Sequence, residues 1–210
     1  MKLPDSFLKL IDALAELPSI GPRQATRLAF YLMGRDQNSI QNLSRTIDEL
    51  RKIKICERCF FIHQNSGALC DICENPGRRR DIIMIVEKET DLLSLENTGK
   101  FTGRYFILGP IPKTGFFQDW QKLRLQNLKS FIQKDLVSNI DHRTSNNGVA
   151  EEIILGFDPT TIGDFNASLL EKELKPFAKK ISRLGRGLPT GGEIEFADDE
   201  TLGSALEKRS

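Results

Sequence analysis

Four cysteines in one short stretch of the sequence form two Cys-x2-Cys pairs. The stretch reads CERCFFIHQNSGALCDIC, and its cysteines are Cys56, Cys59, Cys70 and Cys73. Thiolate pairs at this spacing are typical of tetrahedral zinc sites, whereas a reducing cytosol disfavours disulfides. His63 lies between the pairs, but four sulfurs already complete the shell, so we interpret it as a surface or packing residue. The sequence predicts one structural zinc per chain, with no open position for hydrolysis.

Two carboxylates follow runs that read as buried strands. Glu87 ends DIIMIVE and Asp158 ends EEIILGFD. Because the carboxyl ends of parallel strands share one edge of a sheet, we expect both acids at that edge, where two carboxylates suggest magnesium. The order of elements resembles the Toprim domain, whose catalytic members add an Asp-x-Asp pair. Thr160 stands at the second acid of that pair, so we expect at most weak Mg²⁺ binding and no catalysis, and we favour solvated or capping acids.

A turn near the N-terminus has the residues of a phosphate-binding corner. In LPSIGPRQATRLAF, Gly21 permits a close turn, Pro22 suits the first position of a helix, and the free amides there favour an anion. Arg23 and Arg27, one helical turn apart, add donors beside it. The stretch resembles a helix-hairpin-helix DNA-binding element, in which Ser19 replaces the usual first glycine. We expect phosphate contacts without base recognition, and the alternative is an ordinary helical corner.

These residues need an α/β frame to position them. Helical periodicity predicts helices over 4–16 and 23–33 and a further one from about residue 39. Beyond the cysteines, strands and helices alternate, which predicts a parallel sheet covered by helices. The predicted series is strand 81–87, helix 90–99, strand 104–109, helix 120–137, strand 151–158, helix 164–177 and strand 179–185, with a polar surface loop at 138–148.

The predicted fold class is therefore a multi-module α/β protein. A helical helix-hairpin-helix module at 1–55 precedes a small zinc module at 56–77. A Toprim-type parallel sheet with flanking helices follows at 78–186, and a C-terminal tail at 187–210 ends the chain. The tail carries Ile194, Phe196, Leu202 and Leu206 on a short acidic segment that needs a surface to cover it, which predicts oligomerisation.

Composition bounds the class of protein. Hydrophobic residues make up 39% and charged residues 28% of the 210 residues, as in ordinary globular proteins. No apolar run approaches the roughly 20 residues of a membrane span, and the N-terminus lacks the apolar region of a signal peptide. We therefore predict a cytoplasmic protein. The net charge is only +1, but the basic excess lies at the N-terminal end, which favours an anionic partner there or solvated surface charge.

The order and length of these modules resemble the RecR family of bacterial recombination mediators over essentially the whole chain. The most specific segments are LPSIGPRQATRLAF, CERC with CDIC, VEKETDLLSLENTGKFTGRYFILG and the tail SRLGRGLPTGGEIEFADDETLGSAL. The resemblance implies a cytoplasmic, nucleoid-associated homo-oligomer, dimer or tetramer, that forms a ring or clamp. It implies binding to DNA without sequence preference and, with RecO and in places RecF, help in loading RecA onto gapped DNA coated by single-strand-binding protein. It implies no covalent chemistry.

Three departures from the family pattern concern the sheet half of the chain. LGPIPKTG at 108–115 replaces a usual L-G-G-x-L-S-P-x-x-G, and the segment 116–150 is about a dozen residues longer than usual. Asp158 stands where the family more often has Asn. The first two changes place partner contacts in this region in question, and the third moves slightly toward the catalytic Toprim pattern.

An enzyme is the alternative class: a small Toprim nuclease or a primase-like protein. A topoisomerase would also need a nucleophilic tyrosine, and Tyr31 and Tyr105 fall on an amphipathic helix and a buried strand, where we expect them to pack. A structural adaptor that never contacts DNA is the third class, and Arg23 and Arg27 argue against it.

Overall fold

The computed structural model describes residues 3–110, 112, 117–137, 148–185, 187–188, 191 and 193–207. The chain divides into two compact units, Met1–Ile53 and Lys54–Ser210. The four module boundaries expected from the sequence stay a prediction. The expected loop at 138–148 lies, apart from Gly148, outside the described residues, and so do most residues of 111–116.

The N-terminal unit consists of three helices. They are α1 (Asp5–Ala15), α2 (Pro22–Met33) and α3 (Gln37–Glu49), and a 3-10 turn at Leu50–Lys52 follows. Helices α1 and α2 pack through a small core, in which Phe7, Ala25 and Ala29 are buried and the ring of Phe7 lies 4.8 Å from that of Phe30. Asp36 begins α3 by accepting a hydrogen bond from the Ser39 amide at 3.0 Å.

The second unit begins with the cysteine region and continues into a sheet. The cysteine region contains the short antiparallel strands β1 (Lys54–Ile55) and β2 (Ile62–His63) and the single-turn helix α4 (Asp71–Glu74). The sheet strands are β3 (Ile82–Val86), β4 (Arg104–Ile107), β5 (Ala150–Gly156) and β6 (Ala178–Arg183). The longer helices are α5 (Glu89–Glu96), α6 (Asp119–Val137), α7 (Thr161–Leu174) and α8 (Asp199–Glu207), with 3-10 turns at Lys175–Phe177 and Ile194–Phe196.

The four sheet strands are all parallel and lie in the order β4-β3-β5-β6. Alternate residues of β3 face opposite sides. Ile83 and Ile85 join an apolar core that includes residues of α6 and α7, whereas Met84 and Val86 join one that includes Leu92 of α5. Both faces of the sheet are covered, which explains why its strands read as continuous apolar runs.

The observed architecture confirms the expected multi-module α/β layout, with N-terminal helices, a four-cysteine region and a parallel sheet with flanking helices. Every helix and strand of the expected alternating series is present, with its ends moved by a few residues. The order of the strands was not expected in detail, because periodicity identifies elements without assigning neighbours.

Candidate metal centre and nucleic-acid surface

The four cysteines converge on one point. Their Sγ atoms all lie within 4.8 Å of one another, and all four residues are buried. A tetrahedral zinc with Zn–S bonds of about 2.3 Å separates its sulfurs by about 3.8 Å. The Sγ atoms of Cys59 and Cys70 are 3.5 Å apart, which is close to that separation. The donor set and its spacing therefore fit a four-coordinate thiophilic metal.

Local backbone geometry brings the sulfurs together. In the first pair, Phe60 has a positive φ of 64°, and its amide donates to Cys56 O at 2.9 Å, so the chain reverses within the Cys-x2-Cys loop. In the second pair, Cys70 is the residue before α4, and one helical turn brings Cys73 alongside it. Backbone amides also point at the sulfurs. Phe61 N donates to Cys59 Sγ and Cys70 N to Cys56 Sγ, each at 3.4 Å, which favours thiolates.

Crowding makes the four thiols titrate together. Hydrogen bonding from Cys59 holds the pKa of Cys56 far below its ordinary value, whereas hydrogen bonding with Cys56 is the largest cause that raises the pKa of Cys73. A cluster that ionises one sulfur at the expense of its neighbours is one that a divalent cation stabilises, because coordination to the cation offsets the repulsion among the sulfurs and allows all four to bind as thiolates.

His63 lies beside this site without joining it. It is 8% exposed, and its Nδ1 accepts a hydrogen bond from Asn65 N at 3.2 Å. The cluster of groups that could hold a metal ion, among the residues that the structure describes, contains the four cysteines and no histidine. His63 is therefore a packing residue, one of the two interpretations that the sequence left open.

The cysteine region is fastened to the sheet and to α6. Ile107 N of β4 donates to Cys59 O at 2.9 Å. The Arg58 guanidinium donates to Cys73 O at 3.1 Å and lies 4.5 Å from the ring centre of Phe131 on α6. Sequence reasoning did not find this attachment, because its partners are far apart in the chain and no short motif records them.

A second arginine extends the attachment. The Arg124 guanidinium lies 4.4 Å from the ring centre of Phe60 and 5.0 Å from that of Trp120, and it donates to Ile107 O at 3.1 Å. Burial lowers the pKa of Arg124, although a guanidinium remains charged at neutral pH. Cation–π contacts with partly desolvated cations contribute about 1–2 kcal/mol each, so these side chains stabilise the junction.

The arginine corner has the local geometry of an anion site. Gly21 precedes α2 and Pro22 is its first residue. No side chain caps this helix start, and a Cβ added at Gly21 would meet no other atom within 4 Å. Arg23 and Arg27 are both exposed and four residues apart on α2. Among the described residues, neither guanidinium forms an ion pair or hydrogen bond.

The tight turn before α2 needs an unusual backbone at Ser19 rather than at Gly21. Ser19 has a φ of 66°, in the left-handed region that glycine adopts most readily, whereas Gly21 has a φ of −81°. The replacement of the family's usual glycine by Ser19 therefore falls at the strained position of the corner. Gly21 has an ordinary backbone conformation, so what it contributes is open space beside the start of α2 and not an unusual dihedral angle.

The two carboxylates lie at the expected edge of the sheet, with an ammonium beside them. Glu87 directly follows β3, and Asp158 follows β5 by two residues. Lys88 Nζ lies 3.9 Å from Glu87 Oε1 and 3.7 Å from Asp158 Oδ2. Thr160 stands before α7, and its Oγ1 accepts a hydrogen bond from Gly163 N at 3.0 Å. The residues present do not fit the acidic metal site of catalytic Toprim domains.

The two tyrosines have different environments. Tyr105 is buried on β4, as expected, and burial raises the pKa of its phenol, which disfavours a nucleophilic phenolate. Tyr31 is 61% exposed and lies under Arg35, 5.8 Å from the guanidinium to the ring centre. The expectation that Tyr31 packs inside the helical unit was wrong, because it lies on the outer side of α2, away from Ala25 and Ala29.

Comparison with known proteins identifies the family. The family model described as RecR, helix-hairpin-helix matches residues 7–51, and that described as RecR, C-terminal matches residues 187–210. A recombination protein RecR of Dehalococcoides mccartyi is 39% identical over 203 residues, covering 96% of this chain and 92% of its own length.

Two further relatives extend the match. RecR proteins of Chloroflexus aggregans and Roseiflexus castenholzii are 37% and 35% identical over 215 and 209 residues. They cover 98% and 99% of this chain and 97% and 94% of their own lengths. None of the described helices is long and apolar enough to cross a membrane. With its helical N-terminal unit, converging cysteines and near full-length similarity to these relatives, the chain belongs to the RecR family of recombination proteins.

Proposed function

We propose that this chain is a non-catalytic, DNA-binding mediator of recombination and repair. It binds DNA of any sequence, assembles as a ring or clamp-like homo-oligomer, and acts with RecO, and in places RecF, to load RecA onto gapped or single-stranded DNA coated by single-strand-binding protein. Family membership supports this role, since the relatives are named recombination proteins. The same role places it in the cytoplasm with the nucleoid.

The exposed corner before α2 is the observation that carries DNA binding. A helix start without a side-chain cap presents backbone amides and the positive end of the helix dipole to an anion. The open space at Gly21 lets a phosphate approach the backbone, and the unpaired, exposed Arg23 and Arg27 supply two guanidinium groups on one side of the same helix. These groups recognise the phosphate backbone, which every DNA sequence shares.

The four-cysteine site holds one structural zinc in this proposal. Cys56, Cys59, Cys70 and Cys73 would ligate the ion, which keeps their short loops folded where no larger core exists. Zinc with four protein ligands has no vacant position, so it supplies structure and no hydrolytic chemistry.

Self-association completes the proposal. The tail exposes Ile194, Phe196 and Leu206, at 67%, 79% and 65% of their full surface. Apolar side chains of this size at such exposure favour burial against a second copy of the chain. The N-terminal unit also has an apolar groove of about 710 Å³ between α1, α2 and α3, which Leu32 and Ile40 help to line.

Replacing both corner arginines by alanine tests the DNA-binding proposal. We expect R23A/R27A to weaken binding to gapped duplexes of unrelated sequence by similar factors, because phosphate contacts carry no base information. Each lost phosphate contact should reduce the log–log salt slope by about 0.7–0.9 per engaged subunit. Fluorescence anisotropy at several salt concentrations measures both quantities.

The matched control removes two arginines from the end of the same unit. R45A/R51A carries the same loss of charge, on α3 and the turn after it, and should change the affinity much less. Zinc content and oligomer size should match the parent in both variants. Equal weakening of DNA binding by the two variants would point to a general charge effect. If R23A/R27A binds DNA with the parent's affinity, the corner before α2 does not bind phosphate and only packs the helices.

A further inference from the structure

A cavity lies at the carboxyl edge of the sheet and carries several acidic groups. It has a volume of about 530 Å³ and lies beside the ends of β5 and β6 and the start of α7. Four aspartates help to line it: Asp91, Asp158, Asp164 and Asp198. In an α/β fold this edge is where ligands bind, so the position and charge together would suggest a divalent cation.

Two of these aspartates cap the starts of helices. Asp91 Oδ2 accepts the Lys88 amide at 2.9 Å at the start of α5. Asp198 accepts the amide and the hydroxyl of Thr201, each at 2.8 Å, at the start of α8. A carboxylate in these positions satisfies backbone donors that no helical carbonyl reaches and favours the positive end of the helix dipole. Their charge is explained by helix capping.

The other two aspartates lie beside cations from the protein. Asp164 Oδ1 is 3.5 Å from Arg183 Nη1, and Arg183 also reaches Glu171 Oε2 at 3.3 Å. Asp158 Oδ2 is 3.7 Å from Lys88 Nζ, which lies 3.9 Å from Glu87 Oε1 as well. The Lys88 ammonium thus lies near both carboxylates that the sequence suggests as metal ligands.

We propose that the ammonium of Lys88 takes the place of a divalent cation between Glu87 and Asp158, so that this chain binds no Mg²⁺ there unless Lys88 is removed. The lysine is tethered to the site, because its own residue follows Glu87 and its amide is fixed by Asp91. A tethered charge pays little entropy to reach the carboxylates, whereas Mg²⁺ must lose part of a tightly held hydration shell.

The residues around Glu87 and Asp158 offer few further oxygen ligands that could replace the water molecules bound to Mg²⁺. The Thr160 hydroxyl, at the position of the second acid of catalytic Toprim domains, accepts the Gly163 amide and begins α7. A side chain at Gly163 would collide with Asp158 O, so the close approach of this helix to the loop after β5 depends on glycine. The loop after β5 therefore supplies a cap for α7 at this position and does not supply a third acidic ligand.

Manganese titration of the zinc-loaded protein tests the proposal, with electron paramagnetic resonance to count free Mn²⁺. The variant Lys88→Met removes the ammonium and keeps the aliphatic stem. We expect it to gain one Mn²⁺ site per chain with an apparent affinity at least about tenfold above the parent, since an ammonium about 4 Å from two carboxylates opposes a second cation. The gain should disappear in K88M/D158N.

Lys179→Met is the matched control, because it removes an ammonium 2.8 Å from Glu151 on the same sheet, away from Glu87 and Asp158. It should bind Mn²⁺ as the parent does. A parent that already binds one Mn²⁺ with the affinity of K88M would overturn the proposal, as would a folded K88M that gains no site. An equal gain in K179M would reduce the effect to net charge. Circular dichroism establishes that each variant is folded.

Discussion

Ser19 holds a backbone conformation that costs a serine more than it costs glycine. With a φ of 66°, its Cβ crowds the neighbouring carbonyl, and this strain amounts to about 1–2 kcal/mol for an L-residue. The strained turn lies between two packed helices, and across it the ring of Phe7 on α1 lies 4.8 Å from that of Phe30 on α2. A sequence that departs from the family's glycine here keeps the corner and loses some stability.

We predict that Ser19→Gly stabilises the N-terminal unit. The free energy of unfolding should rise by about 1 kcal/mol, because glycine adopts a positive φ without a Cβ clash. Thermal or urea unfolding measures the change. Ser19→Ala is the control: it keeps a Cβ at the same φ and should leave stability near that of the parent. If both variants have the same stability, the strain at this position is negligible.

The sequence predicted that the four cysteines come together, but it did not predict their surroundings, for a physical reason. The metal-ligand pattern is local: two residues between cysteines are enough to define each half of the site. The contacts of Arg58 with Phe131 and of Arg124 with Phe60 join segments more than 60 residues apart in the chain. The position of the Lys88 ammonium between the two carboxylates was not predicted, because the Toprim motif specifies the glutamate and says nothing of the residue after it.

At the scale of elements, the loop after β4 is shaped by the start of α6. Gly109 has a φ of 96°, and a Cβ there would overlap the indole of Trp120. Gln121 adds a hydrogen bond from its Nε2 to Pro110 O at 2.9 Å, and it is fully buried. The second residue of the altered segment at 108–115 must therefore be a glycine, because the adjacent helix leaves no space for a side chain there.

We predict that Gly109→Ala destabilises the second unit by about 2 kcal/mol or more, because it combines an unfavourable φ with overpacking against the indole. Urea unfolding followed by circular dichroism provides the measurement. Gly67→Ala is the control in the same unit, because its Cβ would meet no other atom within 4 Å and its φ is not in the left-handed region. Comparable losses in both variants would contradict a specific role for Trp120.

Metal removal gives the second prediction at this scale. Chelation, or Cys73→Ser, should abolish stoichiometric zinc, which elemental analysis measures, and should unfold the two short loops. Amide hydrogen exchange at Ile107 should then accelerate by at least about tenfold, because its bond is to Cys59 O, whereas Ile83 inside the sheet should change far less. Unchanged protection at Ile107 would show that the loops fold without metal.

The helices and strands were predictable because apolar periodicity follows directly from burial on one or both faces. Strand order was not: β3 lies between β4 and β5, and β6 is added beyond β5. Strand order depends on the crossover connections and on which face of the sheet each helix covers. A pattern over about ten residues reports neither of these. The helix α4 also escaped prediction because a single turn is too short to show a period.

At the scale of the whole molecule, the tail is the expected contact between subunits. Deleting residues 190–210 removes the exposed Ile194, Phe196 and Leu206 and should shift the protein to a smaller species in light scattering. The full-length variant I194S/F196S/L206S should show the same shift while retaining chain length. A parent that is monomeric at micromolar concentration, or variants that keep the parent's mass, would contradict this assignment.

The two outer strands of the sheet are shielded by different means. Along β6, Lys179, Lys180 and Arg183 are exposed or paired with acids, and such charges discourage another strand from pairing there. Along β4, whose sequence RYFI is entirely buried, the cysteine region lies against the edge through the Ile107–Cys59 bond. If the four-cysteine site holds zinc, as proposed, loss of the metal would loosen this cover and leave an apolar edge open to aggregation.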